Sequence, residues 1–462
     1  MPRRRERNTR LAGLLAEAEM TAAELARIVN RLAAAEGLSL RYDRTTVAHW
    51  LSGSRPRGLV PQLVAEALSR RTGRLVSVSD TGLSDAPPEH GITEAENGER
   101  ADPLRGLITL ARSDASPTLR PQVTGVIFRE RRLPPADSRS VQTVARQSRQ
   151  STGVGQSDVD RSRFMVCQFT SNWHRFGGGH ARAALASYIG DDMGQHLSRP
   201  APPAVRRDLL TTTAQLAHVL GNMSADDGHQ GLAQRYYAFA LGIAAEAGDL
   251  RMRAMTLRAM SVQAVRMEAL RYAAALADAA VATATARGPG NGDLHAFVLV
   301  QRAYVRALSG QRRDAYVDVE AAEGCLEEAG SDQGPFTSYP RAGFDYRKGM
   351  TLYRLGDGDA ALSALRYAAE ERPPPEYRMR ALSQVRLALV LLDRGRVDEA
   401  CVHGRLFADE YRMAHSRRCE QLLHELQARL MPFRRVPEVA SLLGRTVALG
   451  SATASPQGLR TT

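Results

Sequence analysis

A chain of 462 residues is too long for a single hydrophobic core, so two or three domains are expected. The net charge of +12 is unevenly placed: residues 1–75 hold 14 Arg against seven acids. That surplus points to a polyanionic partner, with DNA, RNA and anionic membrane all open on charge alone. Four scattered cysteines (Cys167, Cys325, Cys401, Cys419) form no Cys-x-x-Cys pair, and no apolar run approaches the ~18 residues of a membrane span. A cytoplasmic protein with reduced thiols, no metal site and no membrane attachment is therefore expected.

Residues 8–72 read as four helices. Leu11, Leu14, Leu15 and Ala18 recur at helical spacing, as do Leu25, Ile28, Val29 and Leu32. Thr21 with Glu24 makes a capping box at the start of the second helix. Val47, Trp50 and Leu51 give a short third apolar face. Val60, Leu63, Val64, Ala67 and Leu68 give a fourth, with Pro61 in its first turn. Ahead of them, Arg3, Arg4, Arg5 and Arg7 form either an arm along a DNA backbone or minor groove, or a solubilising tail.

From Val76 to Arg100, acids, a Pro87-Pro88 pair, glycines and serines replace the apolar periodicity. Residues 76–155 are expected to be linker and largely flexible, with one short helix around Leu104, Leu107, Ile108 and Leu110. The acids Asp80, Asp85, Glu89, Glu94, Glu96 and Glu99 suggest a fold-back onto the basic domain, in competition with DNA.

Residues 156–204 read as a helical segment leading into a helical-repeat domain over 205–450, with a flexible tail at 451–462. A turn glycine is followed five residues later by alanine in Gly228…Ala233, Gly310…Ala315, Gly356…Ala361 and Gly395…Ala400. A fifth copy is read as Ala264…Ala269, so the second alanines lie 36, 46, 46 and 39 residues apart. Another alanine recurs seven positions on, at Ala240, Ala322 and Ala368. Small residues let neighbouring helices approach closely, and glycine lets the chain reverse between them. One helix pair cannot cover its own apolar face, so such pairs stack. The pattern resembles the tetratricopeptide repeat, most closely in Leu355-Gly356-Asp357-Gly358-Asp359-Ala360-Ala361-Leu362, although the unit of that repeat is ~34 residues. The expected fold is thus all-α: a small N-terminal domain over 1–75 and a C-terminal α-solenoid.

The stretch Tyr42 to Arg57 carries the functional reading. A recognition helix needs a cap, an apolar back, short or hydrogen-bonding side chains outside, and a tight exit. Asp43 can cap it. Val47, Trp50 and Leu51 face inward, leaving Arg44, Thr45, Thr46 and His49 outside, where Arg can read guanine and Thr can donate, accept, or offer its methyl to thymine. Gly53 reverses the chain, and Arg55 and Arg57 are then placed for phosphates. This segment, within about Asn8 to Arg74, resembles the phage-repressor-type (Xre-like) helix-turn-helix. It departs from that motif in the long connection from Val29 to Leu40. The stretch Trp173 to Arg182 and the segment Gly221 to Tyr237 resemble the central part of large actinobacterial regulators. Those proteins join an Xre-like domain to tetratricopeptide-like repeats, and some act on differentiation and antibiotic production. The resemblance implies transcriptional control.

Other constellations carry no chemistry. Gly177-Gly178-Gly179 lacks the Gly-Lys-Ser/Thr ending of a phosphate loop and reads as a hinge. His174 and His180 lack the partners of a metal site. Cys167 and Ser171 have no evident base, and Tyr236, Tyr237 and Phe239 fall at core spacing. No catalytic residue, cofactor or metal is expected. The reading is a DNA-binding regulator, a homodimer in expectation, whose repeats take a peptide, small-molecule or protein ligand. A protein-interaction scaffold is the alternative.

Overall fold

The computed structural model describes residues 7–74, 76–84, 102–130, 153–286, 292–327 and 340–453. Among these residues the regular structure is helical, without strands. Four helices form the N-terminal domain: α1 (Thr9–Glu17), α2 (Ala22–Ala35), α3 (Arg44–Leu51) and α4 (Val60–Thr72). Each begins for a local reason. Asn8 Oδ1 accepts the Leu11 N–H at 3.0 Å, and Thr21 with Glu24 forms the expected capping box. Asp43 accepts from Thr46, and Pro61 sits in the first turn of α4. Leu11, Leu25, Val29, Val47, Leu63 and Leu68 close the core between them.

The expected linker departs most from what forms. Val76 and Leu83 are buried in the N-terminal core, and Asn8 Nδ2 donates to the Thr81 carbonyl at 2.9 Å. Residues 76–84 therefore belong to that domain. Residues 102–130 hold α5 (Pro103–Ala115) and α6 (Arg120–Thr124). Leu107, Leu110 and Ala111 of α5 are buried against the C-terminal helices. Composition misled here because the few apolar residues that anchor these pieces are spaced among polar ones. The remainder of the linker, with Asp85, Glu89, Glu94, Glu96 and Glu99, lies outside the described residues, as do Arg3, Arg4 and Arg5.

After α7 (Gln156–Phe176) and α8 (Gly178–Tyr188), a π-helical turn at Ile189–Met193 leads into α9 (Gly194–Ser198). Then come antiparallel pairs: α10 (Pro203–Asp226) with α11 (Gln230–Ala247), α12 (Leu250–Arg266) with α13 (Leu270–Thr285), and α14 (Gly292–Leu308) with α15 (Arg312–Glu327). Three more follow: α16 (Arg341–Leu355) with α17 (Gly358–Glu370), α18 (Tyr377–Asp393) with α19 (Val397–Tyr411), and α20 (Arg417–Leu430) with α21 (Pro437–Thr453). The last helix runs through Thr453, so the chain is still helical where a tail from 451 was expected. First helices of neighbouring pairs pack alongside one another, as in α12 with α14, α14 with α16 and α18 with α20. This is the stacked helix-pair array of an all-α solenoid.

The glycine rule holds, with one change of register. Gly228, Gly310, Gly356 and Gly395 all take the left-handed conformation, at φ of 91°, 78°, 86° and 71°. In the second pair that position is filled by Glu268, at φ 57°, and not by Ala264. The alanine five residues on is then Ala273, not Ala269. Ala233, Ala273, Ala315, Ala361 and Ala400 are all fully buried, where the two helices of each pair meet. The spacing of small residues carries no sign of this turn, because a glutamate occupies the glycine position.

The array is drawn together across its inner face. Helix α7 packs on both α10 and α18, the first helices of the first and fifth pairs. The loop after it is pinned by Asp226, itself 1 % exposed. One carboxylate oxygen of Asp226 accepts from Arg378 at 2.7 Å and from the Ser416 hydroxyl at 2.9 Å; the other accepts the Gly178 N–H at 2.8 Å. His415 N donates to the Phe176 carbonyl at 2.6 Å. A Cβ at Gly178 would stand 2.1 Å from the Met223 carbonyl, so the glycine triplet is a hinge dictated by close approach.

Backbone strain gives a direct check. No atom lies within 4 Å of a Cβ placed on Gly356, so Gly356→Ala tests the left-handed backbone alone. It is expected to lower stability by about 1–2 kcal/mol in thermal denaturation. Glu268→Gly is expected to be neutral or stabilising, because relief of the same strain offsets the exposed Arg31–Glu268 pair at 3.2 Å. A clear loss of stability in Glu268→Gly would contradict the assigned register.

Candidate nucleic-acid interface

Helix α3 is held from behind and open in front. Val47 and Trp50 are buried, and Trp50 meets Tyr42 edge-on with ring centroids 5.3 Å apart. The long connection before it, residues 36–43, is tied to α2 by a two-way amide clamp. Asn30 Nδ2 donates to the Tyr42 carbonyl at 2.8 Å, and Tyr42 N donates to Asn30 Oδ1 at 2.9 Å. This clamp fixes the register that the length of the connection left open. The sequence carries its signal only weakly, as one of several polar residues on α2, beside Arg27 and Arg31.

Arg44, Thr45 and His49 are exposed on α3, and Arg55 and Arg57 are exposed on the turn that follows. Gly53 makes that turn at φ 98°. Thr46 is different. It is half-buried, and its hydroxyl donates to Asp43 Oδ1 at 2.9 Å, beside the Thr46 N–H at 2.8 Å. These bonds hold the Asp43 carboxyl below its usual range. The Thr46 hydroxyl is thus committed to the cap, and the outward chemistry of α3 rests on Arg44, Thr45 and His49. Arg41, exposed two residues ahead of the cap, adds a further positive charge that the sequence reading did not single out.

The opposite side of the domain is docked onto the repeats. A wedge at residues 127–130 runs between α2, α4 and the first two pairs. Ile127 is buried in the N-terminal core and Phe128 in the core of the repeats, against Tyr272. The Phe128 N–H donates to Glu36 Oε1 at 2.8 Å, and the Arg129 N–H donates to Gln234 Oε1 at 3.2 Å. Arg70 joins Glu66 at 2.7 Å and Glu130 at 3.5 Å, and donates to the Met267 carbonyl at 2.9 Å. Arg417 donates to the Gly37 carbonyl at 2.8 Å. None of these contacts involves the exposed face of α3. An open cleft of about 590 Å³ lies at this junction, lined on either side by Glu17, Arg70, Glu130 and Glu268.

The remaining candidate groups fall into packing roles. Tyr236, Tyr237 and Phe239 are buried. Tyr236 donates to Asp114 at 3.0 Å, and Asp114 also pairs with Arg182. His174 lies 3.8 Å from Glu376, yet burial, with Arg378 and Arg372 nearby, lowers its pKa to about 3, so it is neutral. His180 stacks on His415 at 6.1 Å. All four cysteines are free thiols, Cys167 exposed. Asp80 lies in the segment packed into the N-terminal domain, where its carboxylate accepts the Ser77 N–H at 2.8 Å.

Docking carries a pH signature. Burial raises the Glu36 pKa from 4.5 to about 7, aided by Glu66 and opposed by the Phe128 N–H, Arg70 and Arg266. A group that binds its proton more tightly when folded contributes stability that is complete below its unfolded pKa and is lost as pH rises through the folded value. The wedge is therefore expected to loosen between about pH 4.5 and 7. Hydrogen exchange over residues 126–130, corrected for intrinsic rates, should show protection falling across that range, and Glu36→Gln should flatten the dependence. A pH-independent wild type would contradict the assignment.

The family model for the SP15 N-terminal domain matches residues 11–84, a span that takes in most of α1, then α2 to α4 and the packed Val76–Ser84 segment. No curated protein matches the chain.

Proposed function

We propose that the chain is a sequence-specific DNA-binding transcription regulator, in which α3 enters the major groove and the repeat array governs the DNA-bound state. The observation that carries this reading is the asymmetry of the N-terminal domain. Its capped, rigidly backed helix offers Arg44, Thr45 and His49 to solvent, while its other side is clamped to the array. Arg can read guanine bidentately, and Thr and His supply further hydrogen bonds to base edges. Arg55 and Arg57 then fall on the flanking phosphates. One eight-residue helix reads few bases, so two half-sites and a dimeric protein are part of the proposal.

The array is read as tetratricopeptide-like and as the sensing part, taking a ligand on the inner face of its helix pairs. Cytoplasmic residence follows from this role. Among the described residues, no helix is long and apolar enough to cross a membrane. Control of differentiation or secondary metabolism is the biological setting that the resemblance suggests.

Affinity selection of fragmented genomic DNA by the full chain tests the proposal. Enriched fragments should share one motif and should be lost with Arg44→Ala/His49→Ala. If six or more phosphates are neutralised, affinity should fall about 10³-fold or more between 50 and 200 mM salt. Enrichment that survives the double substitution, or a flat salt response, would contradict it and favour a scaffold that contacts protein.

A further inference from the structure

The first helices of the repeat pairs carry arginines into the middle of the array. Arg266 ends α12, Arg347 lies in α16, Arg378 and Arg386 in α18, and Arg418 in α20. They are electrostatically close. Burial raises the Tyr346 phenol on α16, but the charges of Arg386, Arg347 and Arg418 outweigh it and bring its pKa below the ordinary value. Arg347 stacks over the Tyr304 ring at 4.8 Å, and its Nε is buried without a hydrogen-bond partner. Arg386 meets Glu425 at a loose 3.5 Å, and the side chain of Arg418 reaches Gln421 at 3.3 Å.

Charge compensation is incomplete. Among the described residues, the carboxylates that act most strongly on Arg266, Arg378, Arg386 and Arg418 are Asp226 and Glu425, and Arg266 also donates to the Ala225 carbonyl at 2.8 Å. Asp226 is already taken by Arg378, Ser416 and Gly178. Burial, with Arg386 and Arg266 close by, lowers the Arg418 pKa to about 9, the sign of a cation held where it is not neutralised. Unpaired charge deep in a protein is costly. Yet Arg266, Arg347, Arg386 and Arg418 each keep some solvent access, Arg386 at 15 % of its side chain. A group arranged this way is suited to an anion that arrives from solution. Forked guanidinium donors match phosphate oxygens best.

We propose that the inner face of the array is a binding site for a small phosphate-bearing anion, held by Arg266, Arg347, Arg386 and Arg418. The site gives chemical identity to the ligand of the sensing part, and to that extent it rests on the functional reading above. It also adjoins the clamp on the N-terminal domain. Arg266 precedes Met267 and Glu268, which bind Arg70 and Arg31, and Arg418 follows Arg417, which binds Gly37. An anion that draws Arg266 and Arg418 inward shifts the two turns on which that domain sits.

Titration calorimetry and thermal melting of the full chain, without DNA, test the site with pyrophosphate as probe. Saturable binding and a raised Tm are expected, with sodium chloride at matched ionic strength giving neither. Arg418→Met and Arg347→Met should each weaken pyrophosphate binding about tenfold, the loss of a charge-assisted contact. The exposed Arg435→Gln should leave it unchanged. Ligand-free Arg418→Met should melt at or above the wild-type temperature, because it removes an uncompensated charge; a purely structural arginine would show the reverse. Adenosine triphosphate binding more tightly than pyrophosphate, with adenosine silent, would identify a nucleotide; equal affinity would identify the phosphate groups alone. Binding unaffected by both substitutions, reproduced by chloride, or seen for an acidic peptide and not for pyrophosphate would overturn the proposal. DNA is absent from these measurements, so a failed genomic selection and a failed anion titration remain separate results.

Discussion

One buried carboxylate organises the C-terminal part of the molecule. Asp226 ends the first helix of the first pair and takes hydrogen bonds from Arg378 in the fifth pair, Ser416 at the sixth and Gly178 in the loop after α7. Segments up to 190 residues apart in sequence are thereby fixed to one side chain. A stack of helix pairs alone makes contacts only between neighbours. The long-range ties at Asp226 turn a one-dimensional stack into a drawn-in array, with α7 lying across its inner face. Removing one member of such a buried set is costly, about 3–5 kcal/mol, because the others are left charged and unpaired.

The same closure decides where charge can accumulate. Asp226 is bonded to Arg378 and not to Arg266, which donates to the Ala225 carbonyl instead, while Glu425 is a distant partner for Arg386. Among the described residues, this arginine group therefore holds more cation than anion, close to the turns that hold the N-terminal domain. Function on this account is a matter of adjacency: α3 looks outward, α2 and α4 look toward the array, and the two turns between them and the arginines are Arg266–Glu268 and the start of α20. Both carry one residue toward the inner face and the next toward the domain.

Much of this was legible in the sequence where a local rule sufficed. The caps at Thr21 and Asp43, the apolar stripes of α1 to α4 and the glycine turns at Gly228, Gly310, Gly356 and Gly395 each depend on a few adjacent residues. The outward placement of Arg44, Thr45 and His49 follows from the same periodicity. What escaped was set by distant partners or by unlikely residues in special positions. Glu268 fills a left-handed turn that spacing assigned elsewhere. Thr46 points into the cap because Asp43 accepts its hydroxyl as well as its N–H. The packing of residues 76–84 and 102–130 depends on single anchors, Leu83 and Ile127 among them, within polar stretches. The arginine group is invisible to any local reading, since its members lie in four different helices and arginine is common throughout the chain.

The drawn-in array is the premise on which the inner-face charge and the docked domain both rest, and hydrogen exchange of Asp226→Asn against the wild-type chain tests it directly. If Asp226 holds the array together, exchange should rise jointly over residues 174–182, 376–380 and 413–419, all remote from the substitution in sequence, while α3 keeps its own protection. Exchange that rises only next to residue 226, with the other segments unchanged, would contradict the account.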